Sequence, residues 1–323
     1  MIGSTVDKPE QLNHLNALQY HEMHYVTAEK WAIMDDTKQS ISKKLKAKGK
    51  ELNRWNLSFN RGVLTGYNEA FIIDEKKKNE LVKADARNSE IIRPILRGRE
   101  IEKYFTEWDG GYLVSTFPSL HIDISKYKAL KKYLEEFLPK INQTGETFIN
   151  EEGKEEKTRK KTTHKWFETQ DPISYYKEFS KEKLIWKNVG SKVRFSFSDE
   201  EIYGLDTTCI ATGEKIKYLT GLLNSKLCIY QLHESAPKTG TGDLKTSVQA
   251  IEPLLVYYPT DKEQKQIEKL VDEILKKKKA NLDTTSLEKE IDVMVYKLYE
   301  LTYDEVKIID KDFWLSKEEY ENY

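Results

Sequence analysis

The spacing of apolar residues changes period several times along this chain, and each change predicts a different element. From Trp31 to Leu120, short apolar runs such as AFIID and GYLVST alternate with turn residues, which predicts strands separated by loops and one or two short helices. Within SKYKALKKYLEEFL, Tyr127, Leu130, Tyr133, Leu134, Phe137 and Leu138 fall on one helical face. The stretch that follows, INQTGETFINEEGKEEKTRKKTTHK, is polar and without period, and predicts a long mobile loop. KLIWKNVG, KVRFSFSD and EIYGLDTTCIAT return to strand period with β-branched and aromatic residues, the composition of a sheet. KIKYLTGLLNSKLCIYQLH is helical again through Tyr218, Leu219, Leu222 and Leu223, with Gly221 and Asn224 as positions of close packing.

The strongest helix signals come last. Thr260 with Glu263 forms a capping box before the stripe Ile267, Leu270, Val271, Ile274 and Leu275. Thr285 with Glu288 repeats it before Leu287, Ile291, Met294, Val295 and Leu298, and Thr302 with Glu305 opens a short terminal helix. These patterns predict an α/β chain of mixed α+β character. Short mixed sheets and helices fill residues 31–258, and an antiparallel helical hairpin and tail fill 259–323, after an N-terminal extension or linker over 1–30. The hairpin's stripes have two possible counterparts, the rest of the chain or a partner.

Composition narrows the function. Of 323 residues, 38% are hydrophobic and 33% charged, which is globular with a heavily solvated surface. Cys209 and Cys228 fit neither a zinc knuckle nor a redox pair, so a reduced, cytoplasmic setting without a disulfide is expected. His14, His21 and His24 have no second ligand cluster, and no metal is expected. No apolar run approaches the roughly 20 residues that span a bilayer, and MIGSTVDKPE lacks the regions of a signal peptide, so no membrane is expected. A net charge of -1 means that any nucleic-acid binding rests on segregated charge. Residues 30–54 carry Lys30, Lys38, Lys43, Lys44, Lys46, Lys48, Lys50 and Arg54 against three acids, while 304–323 is acidic. The lysine run is either a contact surface or a solvated helix face. No Ser/His/Asp set or paired carboxylate appears, and the ExK strings at Glu152–Lys154 and Glu155–Lys157 follow from loop composition, so no catalysis is expected within the chain.

Two stretches carry candidate chemistry, GVLTGYNEAFIID over 62–74 and IIRPILRGREIEKY over 91–104. The planar forks of Arg97 and Arg99 match the acceptor pair of guanine, and Asn68 matches adenine. The alternative for the arginines is ion pairing with Glu100 or Glu102. Thr65, Gly66 and Asn68 either face a ligand or form a structural turn with Gly66 at positive φ. For phosphate the candidates are Arg159, Lys160, Lys161 and Lys165, and then Lys238, Thr239, Thr241 and Lys245 in KTGTGDLK, whose backbone amides can fold around an anion although the Walker spacing fails. The alternative for both segments is an exposed flexible loop. Trp166, Phe167, Tyr175 and Tyr176 are either a stacking platform or core.

In order along the chain, Trp31 with KLKAKGKELNRW, the two stretches above, KWFETQDPISYY, KLIW, RFSF, YLTGLLNSKL and a tail ending YKLYELTYDEVKII together resemble the TaqI-like C-terminal specificity (target-recognition) domain of adenine-specific DNA methyltransferases and type IIG restriction-modification enzymes. The likeness runs from about Trp31 to about Ile309. It implies double-stranded DNA as a partner, with the Thr65–Asn68 loop near the cleft. It also implies an adenine methyltransferase domain, in cis or in trans, that holds S-adenosylmethionine. This chain contains neither the Gly-rich donor loop nor the Asn/Asp-Pro-Pro-Tyr/Phe loop of such a domain, so no cofactor is expected in it. The rival reading is a protein-docking subunit that recruits a methyltransferase or nuclease without reading DNA.

Overall fold

Alternation at period two in KLIWK becomes the strand Lys183–Lys187, whose side chains enter two different cores. Leu184 and Trp186 join one, and Ile185 joins the other. This strand is interior to an antiparallel four-stranded sheet ordered Phe195–Ser198, Lys183–Lys187, Thr208–Gly213 and Leu57–Arg61. Thr208–Gly213 divides in the same way, with Cys209 and Ala211 on one side and Ile210 on the other. The predicted strand segments thus form a sheet that is a wall between two cores. The computed structural model describes residues 36–323 and, in backbone only, the antiparallel strands Ile2–Thr5 and Gln19–Glu22. The remainder of the extension expected over 1–30 lies outside the described residues, as do Trp31 and Asp35.

Beyond the wall lies a second sheet ordered Tyr203–Gly204, Ile92–Leu96, Tyr112–Val114 and Ile72–Ile73, with its first pair parallel. AFIID is only partly the expected strand. Asn68–Phe71 closes one helical turn that buries Ala70 and Phe71, and the strand begins at Ile72. The helix expected over 125–138 is shorter, Lys128–Glu135. The mobile loop expected over 141–165 is corrected by two features. Thr147–Ile149 pairs with Glu155–Lys157 as a hairpin, and Gln143 and Arg159 are buried and hydrogen-bonded at either side of it.

Helices cover the first sheet's other face. Ile216–Leu223 lies against it, and the Asp261–Lys279 and Thr285–Leu298 helices pack on Ile216–Leu223. Their stripe of Ile267, Val271, Ile274, Ile291 and Val295 shares one core with Trp186 and Leu219, so the hairpin packs on its own chain. Gly221 permits the approach, because a Cβ there would lie 2.8 Å from Ile267 Cγ2 and 3.1 Å from Val271 Cγ2. Asn224 serves a different purpose from the expected close packing. Its Nδ2 donates to the Phe195 carbonyl at 2.6 Å and its Oδ1 accepts the Phe195 N–H at 3.1 Å, so a side-chain amide continues the ladder of the edge strand.

The capping boxes at Thr260/Glu263 and Thr302/Glu305 form as read. The middle one does not. The N-cap is Thr284, whose hydroxyl donates to Glu288 at 2.6 Å, while Thr285 bonds Asp283. A further box, Ser316 with Glu319, opens Lys317–Glu321. Of the lysine run, Lys38, Lys43, Lys44, Lys46 and Lys48 belong to the Asp36–Lys48 helix, which buries Ile41 and Leu45 and ties itself to the C-terminal part of the chain through Lys44–Glu305 at 2.6 Å and Lys48–Glu300 at 2.5 Å. Among the described residues no helix is long and apolar enough to cross a membrane, and no group of three or more His, Cys, Asp or Glu is placed to hold a metal ion.

Two predictions follow from this packing. Gly221→Val should cost about 1–3 kcal/mol in urea unfolding by forcing two helices apart. Parent-like stability would contradict the close approach. Asp292 caps the Lys226–Ser235 helix by accepting the Lys226 N–H at 2.8 Å. Burial pushes its carboxyl up to about 6, against the Lys226 N–H and the charges of Lys103 and Lys226. The folded value exceeds the unfolded one, so the cost of ionising it in place grows as pH rises from about 4 to about 6 and is fully present at neutrality. Asp292→Asn keeps the acceptor and removes the charge. It should be more stable than the parent by about 1 kcal/mol at neutral pH, an advantage that fades as pH falls from about 6 to about 4. A pH-independent difference would contradict the linkage.

Candidate nucleic-acid interface

Strand ends set the site. Ile92–Leu96 runs into Arg97, and a short helical turn, Gly98–Glu100, follows. The Arg97 guanidinium meets Asp109 at 2.9 Å and the exposed Arg99 meets the same carboxylate at 2.5 Å. Glu100, one of the expected partners, is buried and more distant, at 3.9 and 3.8 Å from the two, and burial raises its carboxyl pKa. Glu102, the other, pairs with Arg194 instead. The forks of Arg97 and Arg99 are therefore held side by side on one acid and remain partly exposed. Asp109 had no sequence signal, since it lies in a separate loop.

Lys183–Lys187 runs into Asn188 at the same rim. The Asn188 N–H donates to the Thr207 carbonyl at 3.0 Å, and its Nδ2 donates to the Asp206 carbonyl at 3.3 Å. The Cβ position of Gly98 lies 3.3 Å from Thr207 Oγ1 and 3.6 Å from Lys187 Cε, which sets the arginine turn against the Lys187 stem. On the other side, Thr246 donates its N–H to the Asn188 carbonyl at 2.8 Å and its hydroxyl to that of Lys187 at 2.6 Å. Val189–Gly190 pairs with Leu244–Lys245, and this anchors KTGTGDLK. Lys238, Thr241 and Lys245 are exposed there. The Thr239 and Thr241 hydroxyls bond each other at 2.8 Å, and Thr239 Oγ1 accepts the Asp243 N–H at 3.0 Å, so the exposed loop turns back on itself.

The rim continues through the first stretch. Val63 bridges Leu205 in parallel, and the Asp206 N–H donates to the Val63 carbonyl at 3.0 Å. Asp171 and Gln170 then donate to the carbonyls of Leu64 and Thr65, and Gln170 Nε2 reaches the Lys160 carbonyl at 3.3 Å. Main-chain and side-chain contacts thus join four separately predicted clusters, the 238–245 loop, Arg97–Arg99, Thr65–Asn68 and the 159–165 segment. Lys187, Asn188 and Thr207 lie between them and were missed by sequence reading. The one available signal was that Lys187 and Asn188 directly end a predicted strand, where sheet proteins present functional side chains.

Two expected contacts are corrected. Arg159 does not grip phosphate. It is 4% exposed, and its five N–H donors are spent on carbonyls, two bonds to Ile141 and one each to Thr65, Glu168 and Trp166. Burial pushes its pKa down to about 10. Thr65 is also internal, at 1% exposure, with Gly66 at φ 79 beside it as the turn reading requires. Lys160, Lys161 and Lys165 are exposed next to Arg159, as is Asn68 next to Thr65. Phe167 is core, and Trp166, Tyr175 and Tyr176, partly buried, pack against that core.

Arg159→Met should cost about 3 kcal/mol or more in chemical unfolding, because it strips buried carbonyls of a charged donor. A loss below about 1 kcal/mol would contradict its structural role.

Comparison with known proteins agrees with this architecture. The family model described as the TaqI-like C-terminal specificity domain matches residues 93–254, about half of the chain. The type IIL restriction-modification enzyme MmeI, solved in complex with DNA, is 14% identical, with a TM-score of 0.52 over 85% of this chain and 37% of that one. The type IIG restriction endonuclease BpuSI is 15% identical, with a TM-score of 0.48 over 81% of this chain and 32% of its own. This chain spans about a third of the length of those two, and at 14% identity the likeness to MmeI shows a shared fold. No curated protein sequence matches it. The chain is therefore a member of the TaqI-like C-terminal specificity domain family.

Proposed function

We propose that this chain is the sequence-specific DNA-recognition module of a restriction-modification enzyme, which positions a target adenine for an adenine-N6 methyltransferase domain. The observation that carries the reading is the single rim on which the candidate residues meet. DNA recognition divides into gripping phosphates and reading base edges, and the rim offers groups for both. Lys187, Lys238, Lys245, Lys160, Lys161 and Lys165 are cations with no ion pair among the described residues, suited to phosphate. Arg97, Arg99, Asn68, Asn188 and Thr207 carry the directional donors and acceptors that a base edge selects. MmeI, which shares the fold, was solved with DNA. In this reading S-adenosylmethionine and the pocket for an extruded adenine belong to a separate methyltransferase domain, because the chain's own motifs include neither binding loop.

The test is selection of bound duplexes from a random-sequence library by the chain alone and together with an adenine-methyltransferase domain. A short enriched motif supports the reading. No motif in either case contradicts it and favours protein docking. Arg97→Ala should lose about 1–3 kcal/mol on the selected duplex and relax preference at one base pair. Lys187→Ala should weaken all duplexes alike and make the salt slope shallower by about one unit. A Lys187 variant with the parent's slope would remove that residue from the phosphate contacts.

A further inference from the structure

The Thr65–Asn68 turn is held more firmly than an exposed loop requires. Thr65 Oγ1 accepts the Tyr67 N–H at 3.2 Å and donates its one proton to Asn68 Oδ1 at 2.7 Å. Reversing the Asn68 amide would leave that proton, on a Thr65 side chain that is 1% exposed, facing an NH2 group instead of an acceptor. The amide is therefore fixed with Oδ1 inward, and Nδ2, which has no acceptor among the described residues, is left on the exposed side.

Arg159 fixes the turn from beneath. Its Nη1 donates to the Thr65 carbonyl at 2.8 Å, and its guanidinium lies 5.0 Å from the centre of the Phe71 ring, at the other end of the helical turn that Asn68 opens. A Cβ on Gly66 would sit 2.8 Å from Arg159 Cδ, so the turn rests directly on the arginine stem. A phosphate contact needs no such control, since a flexible lysine satisfies it and Lys160 and Lys161 are close by. A base edge does need it, because only a donor of fixed direction separates purine N7, guanine O6 or thymine O4 from the exocyclic amines.

We propose that Thr65, braced by Arg159, is a positioning residue that locks the Asn68 amide as a donor toward the acceptor edge of one base pair. This rests on the DNA-recognition reading above. The experiment compares the parent, Thr65→Val, Thr65→Ser and Asn68→Asp, each as the full chain, on the selected duplex and on every single-base-pair variant of it. Salt dependence is measured in parallel. Valine preserves shape and removes the proton, so discrimination at one base pair should fall by about tenfold with the salt slope unchanged. Serine should restore it. Asn68→Asp, at an exposed position, should lose preference at that same pair, and it keeps the proposal testable if valine impairs folding. Equal weakening on all duplexes, or Thr65→Val and Asn68→Asp variants that retain the parent's preference, would overturn the proposal. A parent that selects no motif would overturn the recognition reading and this inference with it. A parent that selects a motif which both variants read equally well overturns the inference alone.

Discussion

The strand Lys183–Lys187 is the constraint on which the other elements depend. Its alternate side chains are committed to opposite cores, so it can neither slip by one residue nor tilt without expelling Trp186 or Ile185. Each such side chain contributes about 1.5–3 kcal/mol by burial, more than a surface contact supplies. The strand's end delivers Lys187 and Asn188 to the rim. Trp186 Nε1 donates to the Thr246 carbonyl at 2.7 Å and so ties the KTGTGDLK side of the rim to the same wall. Leu96 reaches the rim from the second sheet, and the Asp206–Thr207 turn joins the two. Core packing therefore positions the loops that carry the candidate contacts.

Charge is divided between scaffold and rim. The net value of -1 conceals cations paired across elements, such as Lys44 with Glu305 and Lys103 with Glu288, and cations along the rim that have no such pair. Arg159 is a third case, a buried guanidinium held by carbonyls alone. Burying a charge costs several kcal/mol. Charge-assisted bonds contribute about 1.5–3 kcal/mol each, so five of them offset that cost and leave a rigid junction between three loops. The expected phosphate ligand is thus a strut, and the lysines that follow it remain outside.

How much of this was legible in the sequence depended on whether the signal was local. Strand alternation in KLIW and RFSF, the apolar stripe that follows Thr260 and two of the capping boxes are set by neighbours in sequence, and they appear as read. The box at Thr285 does not form, because the helix starts one residue earlier than read, at the N-cap Thr284, whose hydroxyl donates to Glu288. The segment around Arg159 misled because polarity without period usually means an exposed loop. Its burial depends on carbonyls of Thr65 and Ile141 that no local pattern reports. Asp109 and Thr207 were invisible for the same reason, since their neighbours on the rim come from other strands. The resemblance implied that the Thr65–Asn68 stretch lies near the DNA cleft, but which of its side chains faces outward is set by tertiary burial.

The most direct measurement of the central claim, that one rim gathers the DNA contacts, is residue-resolved lysine reactivity toward a small amine-modifying reagent with and without the selected duplex. Lys160, Lys161, Lys187, Lys238 and Lys245 should become protected, while Lys262, Lys265 and Lys269 on the Asp261–Lys279 helix stay reactive. Protection of the helix with the rim unchanged, or no protection at a concentration that saturates binding, would contradict the account.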